Sequence, residues 1–286
     1  PKMLICFIDN DTAFHAIDYL LHDYIDIYLV QNGLRFPFRK YNKPGFEHMN
    51  IKPIFASNFL YLNPNQLEIL KSTKSTILNS YAFGSLQEKQ RSSENEIQND
   101  ICVIANSINT RRSNVKLAEY LKAYSEIRDV RIVVASKKSE QSVGYSEYIR
   151  LLKSNYGPFA EIVPRVRGKS SINLALQSRL AIGFMSTLIL ELLSYNHKVI
   201  NFNLDYEEIN NAFPSPLNFS SSSFTEFVDY VDSLLSLPID KYICMIEPYL
   251  DVYSIPLLHD TTTSNHLSDA ILHIKSEWLA CNMVQS

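Results

Sequence analysis

The 286-residue chain carries 27 Lys and Arg against 30 Asp and Glu, a formal net charge of −3, so no global basic field draws it to nucleic acid. Apolar residues make up 46% and charged residues 20%, which excludes a disordered chain and allows one large domain or two of ordinary size. Only seven residues are glycine, against roughly 7% in an average protein; neither G-x-G-x-x-G nor G-x-x-x-x-G-K-[ST] occurs, so any phosphate must be held without a glycine loop.

Strand-like runs alternate with helical patterns along the chain. The expected order is strand 3–8 (MLICFI), helix 12–23, strand 25–30 (IDIYLV), strand 54–62 (IFASNFLYL), helix 64–72 and strand 75–81 (STILNSY). Residues 87–100 (QEKQRSSENEIQND) have no apolar period and read as a linker. Then follow strand 101–105 (ICVIA), helix 115–125, strand 130–135 (VRIVVA), helix 146–155, strand 160–163, helix 171–176, strand 180–183, helix 187–195 and strand 198–202. A loop with Pro214 and Pro216, a helix at 223–235 and a C-terminal helix at 266–282 complete the reading.

Short apolar runs between helices imply parallel sheets covered on both faces. The fold class is therefore α/β, with two Rossmann-like domains facing a cleft and the first domain short. The boundaries fall at 1–96, 97–235 and a helical segment 236–286. Cys6, Cys102, Cys244 and Cys281 form no C-x-x-C pair, so buried free thiols in a reducing compartment are expected rather than a zinc site or a disulfide framework. No run reaches the ~18 apolar residues of a membrane span. The N-terminus has no signal-peptide pattern and enters a strand almost at once, as in a chain that begins partway through a longer protein; localisation reads as cytoplasmic.

Open α/β sheets bind ligands at the carboxyl ends of their strands, which directs attention to four clusters. Asp9-Asn10-Asp11 follows the first strand; Asp or Asn there can cap a helix, or Asp9 and Asp11 can serve as base or carboxylate nucleophile. Gln31-Asn32-Gly33-Leu34-Arg35 follows the second strand. Asn-Gly makes a tight turn by itself, and Gln31, Asn32 and Arg35 around it suit an anionic or polyhydroxyl substrate. Lys137 and Lys138 follow VRIVVA, within a stretch from 128 to 169 that holds nine Lys or Arg and four Asp or Glu. That local excess can be plain solvated surface or an anion site completed by Arg165, Arg167 and Lys169. Finally, Ser186 and Thr187 stand between a strand and a helix. There the hydroxyls and free backbone N–H groups can seat an anion, or Ser186 can be an ordinary N-cap. Glu191, one turn later on the same face, can accept hydrogen bonds from a ribose or base. The histidines have no metal spacing, and Asp9-Asn10-Asp11 is the nearest approach to a metal-holding carboxylate pair; no metal is expected.

The strings V-Q-N-G-L-R (30–35), 55–62, I-L-N-S-Y-A-F-G-S (77–85) and above all L-A-I-G-F-M-S-T-L-I-L-E-L-L-S-Y-N-H-K-V-I-N-F-N (180–203) resemble GT-B glycosyltransferases of bacterial capsule and surface-polysaccharide assembly. The resemblance implies a metal-independent transferase. Its 1–96 domain would face a glycan or glycolipid acceptor, and its 97–235 domain would bind a nucleotide-sugar donor that is a substrate, with no cofactor. It implies that Ser186 and Thr187 hold the donor phosphate, with Lys137, Lys138, Arg165 and Glu191 beside them, and that the donor is a CMP-sugar such as Kdo or sialic acid. It also implies lipopolysaccharide or capsule synthesis at the inner face of the membrane, with peripheral or synthase-complex association. A CDP-glycerol-type polyol-phosphate transferase and a non-catalytic nucleotide-binding module of a larger synthase remain the alternatives.

Overall fold

The computed structural model describes residues 3–6, 12–31, 53–84, 97–105, 112–165, 171–184, 186–205, 213 and 215–255. The chain divides into two compact units, residues 1–89 with 251–286 and residues 90–250.

In the first unit, β1 (Met3–Cys6), β2 (Asp26–Val30), β3 (Phe55–Tyr61) and β4 (Thr76–Ala82) form a parallel sheet in chain order. Helices α1 (Thr12–Leu21) and α2 (Pro64–Lys71) belong to the same unit. Its core gathers Ile27, Leu29, Ala56, Phe59, Leu67 and Leu70. The start of α2 is dictated locally: Asn63 accepts from the Gln66 backbone N–H at 3.0 Å, and Pro64 fills the first helical position, where a missing N–H costs nothing.

The second unit contains β5 (Asn99–Ile104), α3 (Arg112–Ile127), β6 (Ile132–Ala135), α4 (Tyr145–Tyr156), β7 (Glu161–Val163), α5 (Ser171–Leu176), β8 (Ser178–Gly183), α6 (Thr187–Leu193), β9 (Val199–Phe202), β10 (Asn218–Phe219), α7 (Phe224–Ser236) and most of α8 (Ile239–Tyr253). Its six described strands are all parallel, in the order β10-β9-β8-β5-β6-β7. Read from β7, the chain steps back to β5 and then forward through β8, the strand order of a dinucleotide-binding Rossmann sheet. The reversal falls between β5 and β8.

Local chemistry accounts for the elements of this unit as well. The run I-C-V-I of β5 is wholly buried, as a central parallel strand requires. Ser223-Phe-Thr-Glu226 starts α7, with the Ser223 hydroxyl accepting from the Glu226 N–H at 3.3 Å. Phe202 stacks on Phe219 at 5.5 Å, and Phe227 meets both edge-on.

The structure extends the sequence reading in two places. β10 lies where a loop is expected, because a two-residue strand leaves no apolar period to detect. Helix α8 occupies 239–253, inside the segment read as helical but ahead of the helix expected at 266–282, which lies outside the described residues. The cysteine expectation needs a correction. Cys6 and Cys102 are buried, but Cys244 is exposed on α8, and burial pushes the Cys102 thiol up to about 12. No helix among the described residues is long and apolar enough to cross a membrane.

Candidate functional site

Open α/β sheets bind ligands at the carboxyl ends of the strands where the order reverses, here β5 and β8, and Ser186 and Thr187 follow β8 at that end. Gly183 ends β8 close under α6. A Cβ at this position would lie 3.2 Å from both Ile104 Cβ on β5 and Ile189 Cδ1 on α6. The absent side chain therefore lets the start of α6 sit tightly over the junction.

Ser186 occupies the N-cap position of α6 in extended backbone, φ −105° and ψ 129°, yet its side chain makes no capping hydrogen bond. Its carbonyl instead accepts from the Ile189 N–H at 3.1 Å. Ser186 and Thr187 are both half-buried. Helix geometry leaves the first N–H groups of α6 without partners inside the helix. The hydroxyl is thus positioned at the switch point without serving the helix itself. Glu191, expected on the same face, is 6% exposed and hydrogen-bonded or otherwise engaged within the fold.

The start of α3 is engaged by the residues that follow β9. The Asp205 carboxylate, beyond β9, accepts from the Ser113 backbone N–H at 2.9 Å. The Ser113 hydroxyl in turn accepts from the Leu204 N–H at 2.8 Å, and Asp205 N–H donates to the Asn203 side chain at 3.2 Å. Ser113 is fully buried within this clamp. Sequence reading passed over Asp205, although a carboxylate just past a strand end is the same signal that singled out Asp9 and Asp11.

The basic cluster sits farther along the edge. Lys137 and Lys138 leave β6 and Arg165 leaves β7, and the Arg165 N–H donates to the Lys138 carbonyl at 3.2 Å. The structure therefore brings these three together. Their strands are two and three places from β8, roughly 10 and 14 Å at the usual spacing of parallel strands. The Lys138 ammonium donates to the Val143 carbonyl at 2.9 Å and lies 5.7 Å from the Tyr148 ring centre. It holds the 136–144 loop, in which Gly144 takes the left-handed φ of 71° ahead of α4. Lys137 is exposed, its N–H donating to the Tyr148 hydroxyl at 3.0 Å. Arg165 is exposed as well.

In the first unit, Gln31 is 2% exposed. Its amide donates to Gln66 Oε1 at 2.9 Å and accepts from the Leu62 N–H at 3.1 Å. It joins the end of β2 to the end of β3 and to α2. Asp9, Asp11, Asn32 and Arg35 lie outside the described residues, as do Arg167 and Lys169. Among the described residues, no group of three or more His, Cys, Asp or Glu is placed to hold a metal.

No protein-family model and no curated protein matches the sequence. Solved structures do. MnaA of S. aureus in complex with UDP superposes with a TM-score of 0.60 at 13% identity, covering 96% of this chain and 75% of that one. A glycosyltransferase from Rickettsia africae gives 0.53 at 14%, covering 92% and 73%. The UDP-GlcNAc 2-epimerase of Neisseria meningitidis bound to UDP-GlcNAc gives 0.51 at 15%, covering 96% and 76%. The likeness shows the fold. It is the α/β, Rossmann-like architecture of the GT-B class. The chain spans about half the length of some of the solved chains it matches (51% and 54%) and about three quarters of others (75% and 76%).

Proposed function

We propose that the protein binds a nucleotide-sugar at the switch point of its second unit and transfers the sugar to a glycan or glycolipid acceptor. One observation carries this reading. The α3 start is filled by the Asp205 carboxylate beyond β9, whereas at the reversal between β5 and β8 Ser186 beside α6 presents a hydroxyl that does not cap its helix. Negative charge on a leaving nucleotide belongs where donors are unused, so Ser186 and Thr187 hold the phosphate and stabilise the charge that develops in transfer. Glu191 fixes the donor's ribose or base one turn deeper, and Lys137 and Arg165 extend the anion-binding edge. The first unit is the acceptor side, with Asp9 or Asp11 as base or nucleophile and Asn32 and Arg35 contacting the acceptor.

UDP is the nucleotide that the solved neighbours MnaA and the Neisseria epimerase carry, and it heads the donor list here. CMP-Kdo, CMP-sialic acid and CDP-glycerol follow from the sequence resemblance. The test is thermal stabilisation by UDP, CMP, CDP and GDP, followed by product analysis with the corresponding donors. A nucleotide at 100 times its Kd stabilises by about 2.7 kcal/mol. Thr187→Ala is expected to weaken binding of the stabilising nucleotide tenfold or more, and transfer is expected to continue in EDTA. Stabilisation by none of the four, or an unchanged Kd in Thr187→Ala, overturns the reading. A sugar isomerised without acceptor would assign the same site to epimerisation.

A further inference from the structure

Helix α1 buries its polar residues and exposes an apolar stripe. His15 and Asp18 are both buried; His15 Nδ1 lies 2.9 Å from the Phe55 carbonyl, and the Asp18 carboxylate accepts from Ser57 on β3. The outward face carries Ala13, Ala16, Ile17 and Leu20, at the i, i+3, i+4, i+7 spacing of one side of a helix. All four are exposed, Leu20 to 69%, and Tyr24, just past the helix end, is exposed to the same extent. Strand β1 is an edge of its sheet, paired only with β2 among the described strands. Its Met3, Leu4 and Ile5 are all exposed, and because successive side chains alternate, both faces of the strand lack cover. Half of the exposed large apolar side chains among the described residues lie between Met3 and Tyr24. At about 150–250 Å² for a whole large side chain, their exposed fractions amount to roughly 600–1,000 Å². The largest apolar patch of an ordinary monomer is about 300–600 Å², and each side of a stable dimer buries about 800 Å².

We propose that this surface docks a second copy of the chain, α1 against α1 about a two-fold axis. The stripe is self-complementary. In two antiparallel copies centred between positions 16 and 17, Ala13 of one faces Leu20 of the other and Ala16 faces Ile17. Small therefore meets large at every position, in a contact that uses the same patch twice. The alanines let the helix axes approach, and the leucine and isoleucine fill the space above them. Charge disfavours a lipid surface as the occupant: residues 3–31 hold no Lys or Arg, so anionic headgroups meet no cation there. The exposed Asp23 lies about 10 Å along the chain from the axis at the helical rise. The two copies' Asp23 carboxylates then stand about 20 Å apart, beyond a Debye length of ~10 Å. The contact lies in the first unit and does not depend on the nucleotide-binding reading.

Sedimentation velocity of the full chain from about 1 to 100 μM spans the range in which an interface of this size assembles. A species of twice the 32.9 kDa chain mass is expected. Leu20→Glu and Ala16→Arg replace exposed side chains, so the urea midpoint of each should match the parent's. Each should weaken dimerisation roughly tenfold or more, since the change is felt twice in every dimer. Ala13→Lys should weaken it as well, yet mixing that variant with Leu20→Glu should restore dimer, because this register alone sets the new opposite charges face to face. A parent chain that stays monomeric at the highest concentration overturns the proposal. So does a dimer that survives all three substitutions, or a mixture no more dimeric than its components. Flotation of the monomeric parent with neutral phosphatidylcholine vesicles, lost in Leu20→Glu, overturns it in favour of lipid. Should Leu20→Glu fail to fold, Leu20→Gln and Ala16→Arg are read by the same dissociation constant.

Discussion

Gly183 ends β8 between two isoleucines, and no larger residue fits without displacing one of them. In Gly183→Ala the new methyl group would press on the β-carbon of Ile104, which is fixed to the strand backbone, and on the side chain of Ile189. Overpacking of this kind costs about 1–3 kcal/mol, relieved by moving α6 away from the sheet. Urea denaturation should show that loss, and nucleotide binding should weaken with it because Ser186 moves with α6. His197 offers a pH test in the same unit. Its Nε2 is buried without a hydrogen-bond partner, and burial, followed by the neighbouring Lys198 ammonium, pushes its pKa down to about 4 from an ordinary 6.5. Between those two values the unfolded chain holds more protons than the folded one, so stability falls as pH drops through that window. The slope from this one group is at most about 1.4 kcal/mol per pH unit. Urea midpoints measured from pH 7.5 to 4.5 should show a shallower decline in His197→Gln than in the parent chain.

Strand β3 shows what local pattern can and cannot reveal about an element. Its run F-A-S-N-F-L-Y reads as a strand because apolar residues flank the polar pair, yet the use of that pair depends on distant partners. The Asp18 carboxylate of α1 accepts from the Ser57 N–H at 2.8 Å and from its hydroxyl at 2.6 Å, while the Asn79 amide donates to the Ser57 carbonyl at 3.3 Å. Residue 57 drops out of the β3–β4 register, and side chains satisfy the peptide groups that the ladder leaves. Asp18→Ala would strand the buried Ser57 N–H, while the hydroxyl keeps the Ile27 carbonyl at 3.0 Å, costing about 1.5–3 kcal/mol at the usual value for a hydrogen bond to a charged group, measurable as a lower urea midpoint. The same limit explains what was legible elsewhere. Element centres and the positions of Ser186 and Thr187 followed from continuous apolar runs and the residues after them. The burial of Gln31 did not, since its partner Gln66 lies 35 positions away. Nor did the grip of Asp205 on Ser113, 92 positions away. Asp18 looked like any polar residue on an amphipathic helix.

At the scale of the whole molecule, the two sheets differ in strand order. The first runs β1-β2-β3-β4 in chain order, so among its described strands the connections never reverse and topology opens no crevice. The second reverses between β5 and β8, the position at which open α/β sheets bind ligands. Nucleotide should therefore add protection in the second unit, first at the backbone amides of 186–190 and then at the start of α3. The amides of β1–β4 should exchange as before. Amide exchange followed by mass spectrometry, with and without saturating UDP, resolves these segments. Because the amides of 187 and 188 open α6 without partners inside the helix, whereas the Ile189 N–H already donates to the Ser186 carbonyl, these two gain the most from a bound phosphate, and a ligand held mainly by Lys137 and Arg165 would instead slow exchange at the ends of β6 and β7. Repeating the measurement in EDTA separates a phosphate held by hydroxyls and backbone from one bridged by a metal: protection at 186–190 that survives chelation requires only the chain's own donors.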